Sequence, residues 1–169
     1  IATALAPAAL GVVRCTGKNC IDLVSKVFSR PKALLEAQGN SLVYGWITSE
    51  NQKIDEVMVS VYRCPKSFTG EDMIEISCHG GPSVVTAIHS LLLNSGFRQA
   101  ERGEFTFRAY INGKADLTKA EAVREIIDSH TGESRSRAAG RLAGNLFEEI
   151  NSIKKLIIDT LAAIEVEIE

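Results

Sequence analysis

A chain of 169 residues has room for one ordinary domain and an appendage. Hydrophobic residues make up 45% and charged residues 24%, which fits a globular protein and excludes a disordered or membrane-embedded one. The net charge of −2 gives no general electrostatic reason for tight binding to nucleic acid.

In chain order, Ala9–Arg14 reads as a short strand that turns at Gly17. Asn19 or Asp22 can open a helix through Ile21, Val24, Val27 and Phe28, which must stop before Pro31. Ser41–Thr48 and Asp55–Tyr62 are β-rich runs on either side of a polar Ser49–Lys53 turn, and together they predict a hairpin. Asp72–Cys78 supplies another strand. Pro82–Asn94 is a helix, with Pro82 at its favoured first position and Gly96 just past its end. Phe97–Ala100 is expected to return to the sheet. These elements predict an α+β domain built on a mixed sheet, ending near Lys114, and we take residues 1–117 as one domain.

After Leu117 the pattern changes. Thr118 with Glu121 three residues on is a capping box, opening a helix through Val123, Ile126 and Ile127. From there Leu142, Leu146, Ile150, Ile153, Ile157, Leu161, Ile164 and Ile168 recur at steps of three and four, the stripe of a long amphipathic helix. Phe147, Leu156, Ile158 and Val166 widen that stripe until it needs partners on more than one side. Residues 118–169 are therefore expected to be the first part of a helical bundle completed by sequence outside this chain.

The 4 cysteines, Cys15, Cys20, Cys64 and Cys78, are not in zinc-ligand spacing. Cys64 and Cys78 lie in strand-like segments and read as small buried hydrophobes. A reduced, cytoplasmic setting is expected. Cys78 beside His79 suggests a nucleophile and a base, but strand neighbours point to opposite faces, which discounts the pair. No catalytic residue and no metal ligand is expected in this chain.

Two segments carry chemistry. The first, Ser67–Pro82, reads Ser-Phe-Thr-Gly-Glu-Asp-Met-Ile-Glu-Ile-Ser-Cys-His-Gly-Gly-Pro: glycine turns bracket a strand that holds an acid, Glu75, at its middle. A strand, Gly80-Gly81 and a helix start leave N–H groups able to receive a polar ligand; a tight turn with no ligand fits the pattern equally well. The second is Arg102-Gly-Glu-Phe-Thr-Phe-Arg-Ala, followed by Asn112-Gly-Lys-Ala-Asp-Leu-Thr-Lys. Arg102, Glu104 and Arg108 around Phe105 and Phe107 read most simply as a helix start with local ion pairs. Arg135, Arg137 and Arg141, interspersed with Glu133, Glu148 and Glu149, read as a solvated helix face.

The order and spacing of Ser-Phe-Thr-Gly-Glu-Asp, His-Gly-Gly-Pro and Gly-Glu-Phe…Arg-Ala resemble the N-terminal region of the MnmE (TrmE) family of tRNA-modification GTPases, over nearly the whole chain. The resemblance implies a tetrahydrofolate-binding domain that also forms a homodimer, with Arg14, Glu75 and Lys114 at the positions of the family's folate contacts. The cofactor implied is 5-formyltetrahydrofolate or 5,10-methylenetetrahydrofolate. A carboxylate such as Glu75 suits the adjacent amine and ring N–H of a pterin, which it can accept in a forked pair. Arg14 and Lys114 suit the glutamate tail and the one-carbon unit, in either assignment. Without the resemblance, all three read as ordinary solvated charges. One departure stands just before Arg14: Ala6-Pro7-Ala8-Ala9-Leu10-Gly11 replaces the family's glycine-rich loop, so the same close backbone approach is not available.

The resemblance further implies a whole protein that acts with an MnmG-like flavoprotein on the wobble uridine of tRNA, free of membrane. A phosphate-binding loop is absent from this chain. Gly11–Asn19 comes nearest, but it has five residues between its glycines and Asn19 where a hydroxyl is needed. GTP, magnesium and potassium are thus expected only in a GTPase domain elsewhere in the protein. Two rival readings are a stand-alone folate-dependent aminomethyltransferase, and a structural dimerisation module without ligand.

Overall fold

The computed structural model describes residues 1–50 and 52–168, with side chains through Val166. It separates into two compact units, Ile1–Ala109 and Tyr110–Glu169, a division that falls ahead of the change of pattern after Leu117.

In the first unit the order is β1 (Leu10–Thr16), α1 (Cys20–Ser25), α2 (Pro31–Leu35), β2 (Ser41–Ser49), β3 (Gln52–Tyr62), β4 (Met73–His79) and α3 (Pro82–Asn94), followed by α4 (Glu104–Ile111), which begins in it. The strands form one sheet in the order β1-β4-β3-β2. The α+β class holds, and every described pairing is antiparallel, so the expected mixed sheet is an antiparallel one. Alternation of side chains divides the sheet into two faces. One face carries Val13, Cys15, Val43, Ile47, Val57, Val59, Val61, Ile74, Ile76 and Cys78, buried with Ile21 and Val24 of α1 and Val85, Ile88 and Leu92 of α3. Each such Val, Ile or Leu contributes about 1.5–3 kcal/mol by leaving water. The other face holds Val12, Arg14 and Thr16 of β1, Met73, Glu75 and Ser77 of β4, and Met58, Ser60 and Tyr62 of β3, following the register.

The sheet's outer strands are lined by irregular chain. Beside β1, the Ala2 N–H donates to the Val12 carbonyl and the Val12 N–H to Thr3 Oγ1. Beside β2, the Ser29 N–H donates to the Trp46 carbonyl and the Thr48 N–H to the Val27 carbonyl.

Several expectations change. Pro31, a stop in the sequence reading, also opens α2, because its fixed φ suits a first helical position. Phe97–Ala100 adds no strand. Cys64 is exposed rather than buried, because it lies past the end of β3. Cys78 and His79 do sit on opposite sides, Cys78 in the core and His79 exposed. The hairpin forms, although Asn51 of its turn lies outside the described residues.

The second unit contains α5 (Leu117–Ile127), α6 (Gly132–Ala143) and α7 (Asn145–Ile168). The expected Thr118 cap is displaced. Asp116 caps α5 and accepts from the Lys119 N–H at 2.9 Å, while the Thr118 hydroxyl donates to the same carboxylate at 2.5 Å. A carboxylate is the stronger acceptor for a helix start, and this donation lowers its pKa. A capping box does occur, at Thr131 and Ser134 of α6. The long stripe is broken at Gly144, whose φ of 101° ends α6, so Leu142 belongs to α6 and the remainder to α7. The side chain of Ile168 lies outside those described.

Candidate functional site

Arg14 and Glu75 are direct cross-strand partners in β1 and β4, on the sheet face that does not carry the core. Ser60 of β3 is the next residue in the same row. At such positions Cβ atoms stand roughly 4.5–5.5 Å apart, close enough for one small ligand to meet both side chains. Both residues are half-buried. Among the described residues, the Glu75 carboxylate makes no hydrogen bond and no ion pair, even to Arg14. A carboxylate at mid-sheet is thus left with its acceptor capacity open.

The Arg14 guanidinium is held by rings. Its Cζ lies 4.4 Å from the centroid of Phe105 and 5.9 Å from that of Phe68. Phe68 stands on the Ser67–Asp72 loop, which is tied to β1 at several points. The Gly17 N–H, just past β1, donates to the Asp72 carbonyl at 3.0 Å, and Thr16 Oγ1 lies 2.7 Å from Oγ1 of the buried Thr69 and 3.2 Å from the Asp72 carbonyl. Within the loop itself, Ser67 Oγ donates to the Glu71 carbonyl at 2.5 Å. Gly70, with a φ of 79°, makes the turn that a side-chain-bearing residue would strain.

Phe105 comes from the first turn of α4, which is anchored by charge. Arg98 and Arg108 both donate to Glu104, and the Glu101 N–H donates to it at 2.9 Å. Above all the Arg98 hydrogen bonds, then the Glu101 N–H and Arg108, hold the Glu104 carboxyl down at about 2. Arg108 also donates through Nη1 to both oxygens of Glu71, at 3.1 and 2.9 Å. The cluster read as local ion pairs therefore reaches across to the Ser67–Asp72 loop.

The turn after β4 is packed against the chain's own residues Ala8 and Ala9. The Gly80 N–H donates to the Ala9 carbonyl and the Ala8 N–H to the Gly80 carbonyl, at 3.3 and 3.2 Å. A Cβ on Gly80 would fall 2.5 Å from the Ala8 oxygen. Its missing side chain makes room for the chain's own N-terminal segment. Asp55 closes the same end of β4, accepting from the His79 N–H at 2.8 Å and lying 2.7 Å from His79 Nδ1.

The structure thus brings Arg14 and Glu75 together. Lys114 belongs to the second unit, exposed after the Gly113 turn, where φ is 69°. Phe68 and Phe105 as neighbours of Arg14, and Glu71 as partner of Arg108, were not singled out from the sequence. The only signal available was their place inside the two unusual segments. In the second unit, Arg137 pairs with Glu133 and Arg141 with Glu125, in keeping with a solvated helix face.

Fold and site define an antiparallel α+β domain that presents an open acid and a ring-stacked arginine on one sheet face, with amphipathic helices following in the chain. The family model described as GTP-binding protein TrmE N-terminus matches residues 1–114. Among curated relatives, tRNA modification GTPase MnmE of Treponema denticola is 60% identical over the whole of this chain, which covers 36% of that protein. The MnmE proteins of Borrelia turicatae and Treponema pallidum are 47% and 44% identical, again over the whole chain, which covers 37% and 34% of them. The chain spans about a third of the length of these relatives. It belongs to the MnmE (TrmE) family and corresponds to its N-terminal region.

Proposed function

We propose that this chain is the folate-binding and dimer-forming region, with the opening helices, of a tRNA-modification GTPase that acts on the wobble uridine. The observation that carries the reading is the open Glu75 carboxylate in register with Arg14. A reduced pterin presents an amine and a ring N–H side by side, and a carboxylate without an intramolecular partner can accept both. The donor set therefore fits 5-formyltetrahydrofolate or 5,10-methylenetetrahydrofolate, with Glu75 binding and orienting the ring. Arg14 supplies positive charge for the carbonyl or carboxylate end, and stacking against Phe105 and Phe68 orients its planar guanidinium and partly desolvates it. Lys114, exposed on its turn, is the second cation in the reading. Bound folate would supply a one-carbon unit, while GTP with magnesium and potassium would occupy a GTPase domain elsewhere in the protein. An MnmG-like flavoprotein and tRNA complete the proposed assembly, in the cytoplasm.

Calorimetric titration with 5-formyltetrahydrofolate tests this. Saturable binding is expected, and Glu75→Gln should weaken it at least about tenfold, since a charge-assisted forked pair is worth more than 1.4 kcal/mol. Binding that Glu75→Gln leaves untouched would remove Glu75 from the site. No binding at all would favour a dimerisation module that does not use folate.

A further inference from the structure

We propose that Glu71 and Arg108 form a latch that positions Arg14, acting through Phe105 rather than by touching ligand. The proposal rests on the folate reading for its purpose, but its geometry is separate. Two bodies converge on Arg14. The Ser67–Asp72 loop carries Phe68 and is fastened to β1 through Gly17, Thr16 and Thr69. The first turn of α4 carries Phe105, the ring nearer to Arg14. Among the described residues, the side-chain link between these two bodies is Arg108 Nη1 donating to both Glu71 oxygens. The remaining donors of Arg108, Nε and Nη2, are engaged on its own helix by Glu104 at 3.0 and 2.9 Å. Arg108 is therefore stiffened from within α4 and can transmit the loop's position to Phe105, three residues earlier on the helix. Thr16 Oγ1 lies 3.4 Å from Glu71 Oε2, which ties the acid back to the strand that carries Arg14.

Without this link, Phe105 is free to move off the guanidinium, and Arg14 can swing toward the unpaired carboxylate of its cross-strand partner Glu75. The two charges would then neutralise each other and close the site. The latch keeps them side by side yet available.

The test compares this chain with Glu71→Gln, Arg108→Lys and, as an exposed control, Arg102→Ala. Glu71→Gln keeps shape and leaves Glu104 in place; Arg108→Lys keeps charge and removes the fork. The primary readout is the NMR signal of the Arg14 side chain. Phe105 should shift it upfield, and its origin is checked by its loss in Phe105→Leu. Glu71→Gln and Arg108→Lys should each lose at least half of that shift, and Arg102→Ala none. A lower unfolding midpoint with the Arg14 signal unmoved would mean that the pair is merely structural and would overturn the proposal. In the folate titration, Glu71→Gln should raise Kd by about tenfold. Displaced Arg14 signals with unchanged folate affinity would overturn the latch's role in binding. Failure of the wild type to bind would strike the folate reading instead, leaving the NMR shift to decide the latch.

Discussion

At Glu104, two guanidinium groups and a backbone N–H converge on one carboxylate, and the pKa of about 2 is their joint effect. In the unfolded chain the same group titrates near its ordinary value of 4.5. The unfolded state therefore binds the proton first as pH falls, and the stabilisation is complete above about 4.5 and lost progressively toward 2. We predict that Glu104→Gln lowers Tm at neutral pH and that the gap to wild type narrows steadily between these limits. Thermal unfolding across a pH series checks it, and a gap constant with pH would contradict the assignment. This residue also shows what a single chain discloses. Glu104 and Arg108 are four apart on a helix, so their pairing is legible from spacing. The Arg108 contact with Glu71 depends on where the loop and helix meet in space, and no local pattern encodes it. Glu75 was legible as an acid in a strand. That it would stand beside Arg14 required the β1–β4 register.

Elements were easier to read than their ends. Pro82–Asn94 stands in the structure as its proline and glycine signals predict, because φ-restricted and φ-permissive residues act locally. The opening of α5 did not follow the pattern, because two capping residues competed and the charged one prevailed. Their substitutions separate the two. Asp116→Ala should destabilise the helical unit by about 1 kcal/mol, the usual cost of a lost N-cap. Thr118→Ala, which leaves the Lys119 N–H bond intact, should cost clearly less. Chemical denaturation followed by far-UV circular dichroism resolves the pair. Equal losses would restore the threonine to the cap.

For the whole molecule, the contrast is between a sheet unit with a closed core and the helix α7, most of whose described apolar side chains stand largely exposed. Ile153, Leu156, Ile157, Leu161 and Val166 of α7 are all more than half exposed. We predict that replacing Leu161 and Ile164 with Ser lowers the binding of an apolar dye such as ANS and leaves unfolding of the sheet unit unchanged, because those side chains withdraw little surface from water. A lowered midpoint for the sheet unit would show that α7 supports it. The stripe was legible as period and amplitude in the sequence; its interruption at Gly144 depends on a backbone angle that a glycine permits but does not announce.

The irregular segments that run beside β1 and β2 have a consequence for how the molecule tolerates crowding. An open sheet has two outer rows of N–H and C=O groups that invite any other extended chain to continue it. Here the first residues engage one row at Val12, and the stretch around Val27–Ser29 engages the other at Trp46 and Thr48. These stretches act as guards against runaway strand addition. Ala2 and Thr3 thus occupy the β1 row through a backbone N–H and a hydroxyl group, two residues along the strand from Arg14.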